Sequence, residues 1–262
     1  MRIARFCRVT ETDGQDHFRH TMVHDGIMPL ARAGRPRHHD QRRPGVTARD
    51  EILDAAGELF TTLGYTGTST RSIAESVGIR QASLYHYFKT KDDILCALLS
   101  DTVSPTLAFV PNLLGAEPAL SAAEHLHALA AFDGGQLLAG RWNLGALYLL
   151  PELRDARLEP FWSDRERLRL HYLALSQAVI DQTGIHQAAA DLPFRLVESL
   201  VNMWSVPPGP ERTALPVHVA DACMRVLGIP DGETAALRTR TRDEIQRYTG
   251  VASDDTDATL LR

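Results

Sequence analysis

The sequence predicts an all-α protein: an amino-terminal three-helix head built on a helix-turn-helix, followed by a larger helical domain. Three observations carry this expectation. Between Ala48 and Leu63 the apolar residues Ile52, Leu53, Ala56, Leu59, Phe60 and Leu63 recur at three- and four-residue spacing, the period of an amphipathic helix. A second helical pattern stops at Val77, Gly78 supplies a tight turn, and a short helix with Leu84 and Phe88 on one side begins at once. Two short helices joined across a glycine-containing turn are a helix-turn-helix, whose second helix enters the DNA major groove. Beyond Leu99, no stretch alternates polar with apolar or carries hairpin turns, so no sheet is expected.

Residues 1–46 come first and lack any period. From Arg32 to Arg49 six arginines face one acid, Asp40, with Pro29, Pro36 and Pro44 spread through the region. This is the composition of a flexible, disordered basic arm. Two readings stand: an arm that follows phosphates or enters the minor groove, as homeodomain arms do, or a tail without a role.

The head occupies residues 47–93. Its first helix should end at Gly64. Thr68 and Ser69 offer hydroxyl caps for a second helix, Thr70 to Val77, which buries Ile73, Ala74 and Val77. The recognition helix spans about Gln81 to Phe88. Lys91-Asp92-Asp93 then opens a longer helix with its acids placed against the amino-terminal dipole.

Residues 94–230 read as a helical domain. Helices are expected at Asp92–Phe109, Ala119–Leu138, Trp142–Leu150, Pro160–Gln182, Leu192–Trp204 and Pro216–Leu227, with Gly134-Gly135 read as a turn. Residues 231–262 add a polar helix, Asp231 to Tyr248, and a disordered tail from Gly250.

Composition narrows the function. A net charge of -5 means that any DNA affinity must come from a local patch, and the only lysines, Lys89 and Lys91, flank the recognition helix. Cys7, Cys96 and Cys223 are far apart without a C-x-x-C, which argues against a disulfide framework or zinc site and for a reducing compartment. No apolar run approaching 18 residues and no apolar stretch after the amino-terminal arginines is read, so neither a membrane span nor a signal peptide is expected. A cytoplasmic protein fits best. His125 and His127, two apart, point about 200° apart around a helix and cannot converge on one metal. With no G-x-S-x-G, P-loop or G-x-G-x-x-G, neither catalysis nor a cofactor is expected.

On the recognition helix, Leu84 and Phe88 pack inward with Ile79. Gln81, Ala82, Tyr85 and His86 project from the other side, with Ser83 at the flank. Gln pairs with adenine, Arg with guanine, and Ala meets a thymine methyl. Tyr85 is read as a DNA contact with head packing as the alternative, Tyr87 as packing, and His86 as either a phosphate contact or a solvent-facing bystander.

The run Thr68-Ser69-Thr70-Arg71-Ser72-Ile73-Ala74, then Val77-Gly78-Ile79, Leu84-Tyr85-His86-Tyr87-Phe88 and Lys91-Asp92 closely resembles the TetR family of bacterial repressors. The resemblance covers about Arg49 to Leu99, with a partial echo at Leu149-Leu150-Pro151-Glu152-Leu153-Arg154. It implies a DNA-binding head and a carboxy-terminal ligand-binding and dimerisation domain, working as a homodimer released from a palindromic operator by a small molecule. By family position Tyr85 and Lys91 become phosphate anchors, as do Thr68 and Ser69 beside Thr70 and Arg71. Arg80 stands where the family usually caps the recognition helix with Ser or Thr, which makes it a candidate for sequence choice. Ser72 stands where an acid usually completes the cap of the second helix.

Within the helical domain Phe109, Trp142, Tyr148, Phe161, Trp162, Tyr172 and Trp204 are candidates to line a cavity, since ligand pockets are mostly apolar with a few polar anchors, for which His125, His127, Asn143 and Asn202 are candidates; any one of these aromatics is more readily read as ordinary core. The resemblance implies a four-helix interface between subunits through Leu192, Leu196, Leu200 and Met203 on one helix and Val219, Cys223 and Val226 on the next, the alternative being intrachain core. Two rivals remain. A regulator without small-molecule inducer, controlled by a protein partner or acting as an activator, expects no sizeable cavity. A helical enzyme expects a convergent acid-base pair.

Overall fold

The computed structural model describes residues 43–116, 119–150 and 156–250. Most of the basic arm, the Pro151–Arg154 part of the family echo and the tail after Gly250 lie outside the described residues.

Among the described residues ten α-helices follow one another: α1 (Ala48–Thr62), α2 (Thr70–Val77), α3 (Gln81–Tyr87), α4 (Lys91–Ser100), α5 (Ser104–Leu114), α6 (Ala122–Ala139), α7 (Glu159–Thr183), α8 (Leu192–Glu198), α9 (Pro210–Val226) and α10 (Asp231–Thr249). No strand occurs among the described residues. Local chemistry sets the starts. Thr47, Thr90 and Ser121 each accept from the third helical N–H, and the acid at that position, Asp50, Asp93 or Glu124, reaches back to the cap. Ser72 closes the same box at α2 in place of the expected acid: its hydroxyl accepts the Ser69 N–H at 3.0 Å. In the head, α1, α2, α3 and α4 bury Ile52, Phe60, Ile73, Val77, Leu84, Phe88 and Ile94 around one centre.

Several expectations change. The helix read as Asp92–Phe109 is two helices, broken at Asp101–Val103. Pro105 has no N–H for the preceding turn and sits near the start of α5, where none is needed. α5 runs past the expected end at Phe109 and through Pro111 to Leu114: the Pro111 ring is exposed, and burial of Val110 and Leu113 keeps the last turn helical. Trp142–Leu150 holds a 3-10 segment, Leu144–Leu149, rather than an α-helix, and the residues after α8 tighten into another, Ser199–Ser205. α9 begins at Pro210, six residues early, and carries Pro216 within it.

Gly134-Gly135 is not a turn. Both residues lie inside α6, the helix that packs against α5, α7, α8, α9 and α10. A Cβ at Gly134 would stand 2.7 Å from Leu200 Cδ1 and 3.3 Å from Pro216 Cβ, so glycine is there to let two neighbouring segments approach. Within Lys91–Leu114 an 18-residue window has a mean hydropathy of 1.5, enough by length and composition to cross a bilayer. Here it is divided by the Asp101–Val103 turn, and Ile94, Leu95, Leu99, Phe109 and Leu113 are spent on the core.

Candidate nucleic-acid interface and effector cleft

The turn between α2 and α3 rests on Gly78, at φ +77°, whose N–H caps the Ala74 and Glu75 carbonyls. A side chain in that left-handed conformation is strained, which explains glycine there. The turn sets α3 with Leu84 and the following Phe88 buried, and with Arg80, Gln81, Ala82, Tyr85 and His86 exposed on the other side. Arg80 makes no side-chain cap bond. Ser83 is half-buried at the flank.

The exposed face is organised by three side chains. Gln81 Nε2 donates to Thr70 Oγ1 at 2.9 Å and to the Tyr85 hydroxyl at 3.3 Å, and Thr70 and Tyr85 hydroxyls lie 3.2 Å apart. The triad ties the start of α2 to α3 and holds all three groups outward. Ser69 spends its hydroxyl on the α2 cap but remains exposed, and Arg71 pairs with Glu75 one turn on at 2.8 Å.

Three head expectations need correction. Thr68 is buried, and its hydroxyl donates to the Leu59 and Gly64 carbonyls, leaving nothing for a phosphate. Lys91 is half-buried: Nζ donates to the Tyr65 and Thr68 carbonyls at 2.9 and 3.0 Å and lies 4.0 Å from the Tyr65 ring centre. Two of its three N–H groups therefore hold the α1–α2 loop. Tyr87 is 49% exposed, more than Tyr85 at 40%, so it is a surface residue and not packing.

Sequence reasoning missed Arg43, which it left in the arm. Its guanidinium donates to Asp54 at 2.8 Å, to Glu58 and to the Ser76 hydroxyl, pinning the entry of the chain to α1 and α2. No local pattern marks partners that far apart.

The expected ligand residues do not converge. Trp142 reaches the head instead: its indole N–H donates to Asp54 at 3.0 Å and its ring fills the notch at Gly57. Asn143 caps the next segment and donates to the Val201 carbonyl, and His125 bonds the Leu113 carbonyl at 3.1 Å. Phe109 stacks on Phe132 with centroids 4.3 Å apart; Trp162 lies against Phe161 and Arg165; Asn202 is exposed. Tyr172 reaches Asp133, and Tyr148 lines the same small space as that acid. Tyr172 and Thr106 each donate to its carboxylate at 2.9 Å, and Tyr148 shares a bond with Thr102. Burial pushes Asp133 up to about 6, against the pull of those hydrogen bonds, and pushes the Tyr148 phenol up as well. The space beside this cluster is about 10 Å³, room for roughly one water.

A cleft of about 570 Å³ opens elsewhere, at the carboxyl end of α6 and the amino end of α9. Leu138, Arg141, Trp204, Arg212, Thr213 and Pro216 line it, and of the residues read as candidate cavity lining or anchors only Trp204 is among them.

Two further groups matter to the scaffold. His127 Nε2 lies 3.0 Å from Asp221, its Nδ1 2.6 Å from the Thr241 hydroxyl, and Arg238 closes on Asp221. Burial lowers the His127 pKa against the attraction of Asp221. With the ring neutral, Nε2–H donates to Asp221 and Nδ1 accepts from Thr241. Among the expected interface residues, Leu192 and Met203 are exposed, and Leu196, Val219 and Val226 half-buried. Leu200 and Cys223 are fully buried inside the chain, Leu200 against Gly134 and Cys223 donating to the Pro193 carbonyl, so both belong to the intrachain core. Among the described residues no three His, Cys, Asp or Glu side chains gather where a metal could sit.

With this geometry in view, the relatives are informative. The sequence model of bacterial regulatory proteins of the tetR family matches residues 52–98. A 56-residue segment is 43% identical to the HTH-type transcriptional repressor KstR2 of Mycolicibacterium smegmatis, covering 21% of this chain and 27% of that protein. Another of 119 residues is 32% identical to the fatty acid metabolism regulator protein of Bacillus subtilis, covering 45% and 58%. The chain thus spans less than two thirds of the length of these two curated relatives. The crystal structure of Mycobacterium smegmatis AmtR is 52% identical and superposes with a TM-score of 0.71 over 81% of this chain and 99% of that one. On that similarity and the architecture above, this chain belongs to the TetR family of bacterial regulatory proteins.

Proposed function

We propose that the protein is a homodimeric, cytoplasmic transcriptional regulator that represses from a palindromic operator and is released by a small-molecule effector. The observation that carries the reading is the outward face of α3: Arg80, Gln81, Ala82, Tyr85 and His86 are exposed while Leu84 and Phe88 anchor the helix. Twofold symmetry sets two such helices about 34–36 Å apart, in successive major grooves. Arg80 and Gln81 carry the donors suited to guanine and adenine, Ala82 suits a thymine methyl, and Ser69, Thr70 and Tyr85 suit phosphate oxygens. Dimerisation through α8 and α9 is supported by the exposed Leu192 and Met203 and the half-buried Leu196, Val219 and Val226. An effector acts by favouring the arrangement of heads that binds the operator less well. The 570 Å³ cleft supports a small-molecule effector over regulation without one.

The test is selection of bound sequences from a random DNA pool by the purified protein at stated salt. The expected result is a palindrome with half-sites about one helical turn apart. Absence of enrichment, with and without candidate effectors, would remove the reading.

A further inference from the structure

We propose that the cleft between α6 and α9 binds a small organic anion, a carboxylate or phosphate monoester on an apolar body, with Arg212 receiving the charged group. The proposal rests on the regulator reading above, to whose effector it assigns a site and a chemical class.

The walls make the argument. Leu138, Pro208, Pro216 and Trp204 supply an apolar lining, Arg212 and Arg141 supply charge, and no Asp or Glu lines the space. Its volume of about 570 Å³ is that of an ordinary small-molecule pocket. Arg212 is only 9% exposed. Its guanidinium lies 3.8 Å over the Trp204 ring and donates one N–H to the Leu138 carbonyl at 3.1 Å. No carboxylate among the described residues pairs with it. The half-buried Arg43, Arg165 and Arg238, by contrast, each close on a carboxylate: Asp54, Glu198 and Asp221. A guanidinium has five donors and a charge that is costly to bury without a counter-ion. An anion in the cleft would supply that counter-ion.

A second feature points at the same space. α9 starts at Gly209 with no side-chain cap, and Gly209 and Thr213 line the cleft, so the positive end of the helix dipole lies beside it; Glu211, the acid of that first turn, is not among the lining residues. The opposing α6 carbonyls are already occupied: Trp204 Nε1 donates to Leu137 and Arg212 to Leu138.

The site also has a route to the head. Arg141 on its rim pairs with Asp54 of α1 at 3.2 Å, and the next residue, Trp142, donates to the same carboxylate. An anion drawing on Arg141 competes with Asp54 for it.

The test is calorimetric titration of the full chain with octanoate and octyl phosphate, against octan-1-ol and octylamine as uncharged and cationic controls. One anion per chain should bind, at least tenfold tighter than either control. Arg212→Met should abolish that preference while leaving octan-1-ol unchanged. Should that variant fail to fold, Gly135→Leu answers instead. Its Cβ would meet nothing within 4 Å, so the side chain fills the cleft and anion binding should fall at least tenfold. Anions no tighter than octan-1-ol, or anion binding unchanged in whichever variant folds, overturns the site. Octanoate should also weaken the selected duplex in wild type and not in Arg141→Gln; no effect in wild type overturns the route. The two readings fail separately. Anion binding without DNA selection keeps the site and sinks the regulator, and an operator without anion binding does the reverse.

Discussion

Trp142, in the loop after α6, donates its indole N–H to Asp54 of the head at 3.0 Å, and Arg43 and Arg141 converge on the same carboxylate. One acid in α1 thus joins the chain entry, the head and the helical body. Its three partners differ in burial, and so in what each contributes. Arg141 is mostly exposed, and a pair of that kind is worth about 0–1 kcal/mol. The indole is half-buried and bonds a charged group, typically about 1.5–3 kcal/mol. Trp142→Phe should therefore lower stability in urea unfolding by more than Arg141→Gln, with helix content by circular dichroism unchanged. Equal losses would show that the bond to Asp54 is not what joins the parts.

The Thr70–Gln81–Tyr85 triad leads to a division of effects on DNA. Gln81→Ala removes a candidate base contact and should cost about 1–3 kcal/mol at one base pair of the half-site, relaxing preference there. Tyr85→Ala should weaken operator and unrelated duplex alike and reduce the salt dependence of binding. Fluorescence anisotropy on both duplexes at two salt concentrations separates them. Loss of discrimination in Tyr85→Ala, with discrimination kept in Gln81→Ala, would reverse the assignment.

Asp133 gives the protein a pH dependence. Its folded pKa of about 6 is above the model-peptide value of 3.8, chiefly through burial, so the folded chain holds this proton more tightly than the unfolded one. The associated stability is fully present below about pH 4 and is lost as pH rises through 6, by on the order of 2–3 kcal/mol. Asp133→Asn keeps the shape and cannot ionise. Urea midpoints taken between pH 4 and 7 should show wild type losing stability relative to Asp133→Asn as pH rises, with no further change above about pH 7. A constant difference would assign Asp133 an unperturbed acidity.

Gly134 can be tested by complementation. Gly134→Ala gains roughly 1 kcal/mol in helix propensity, but its methyl meets Leu200 Cδ1 at 2.7 Å with Pro216 behind. The net effect should be a loss of about 1–2 kcal/mol, since overpacking a filled core costs about 1–3. In a Leu200→Ala background, where the obstructing atoms are gone, the same substitution should be neutral or stabilising. A double-mutant cycle on thermal or urea unfolding measures the coupling, and additivity would deny the contact.

Much of the head was legible in the sequence because its determinants are local. Apolar residues three and four apart select helices, Ser69 offers the hydroxyl that caps α2, and Gly78 marks a turn that other residues resist. The outward face of α3 follows from the burial of Leu84, which fixes the rotation of so short a helix. The errors began where distance along the chain exceeds a helical turn. Lys91 looked free because the carbonyls that hold it, those of Tyr65 and Thr68, belong to the loop before α2, and Tyr87 looked buried because nothing in its neighbourhood says how far the head extends.

In the helical body the sequence determined that the chain would be helical; tertiary structure decided how the helices serve. Whether Gly134 is a turn or a contact depends on Leu200 and Pro216, more than sixty residues away. Whether His127 is a ligand or a satisfied core group depends on Asp221 and Thr241. The aromatic residues were visible as candidates, yet packing drew Trp142 to the head and left Arg212, which no pattern singles out, facing a cleft without a carboxylate. Helix formation depends on interactions within about four residues, whereas a cavity or buried ion pair is what remains when whole surfaces meet.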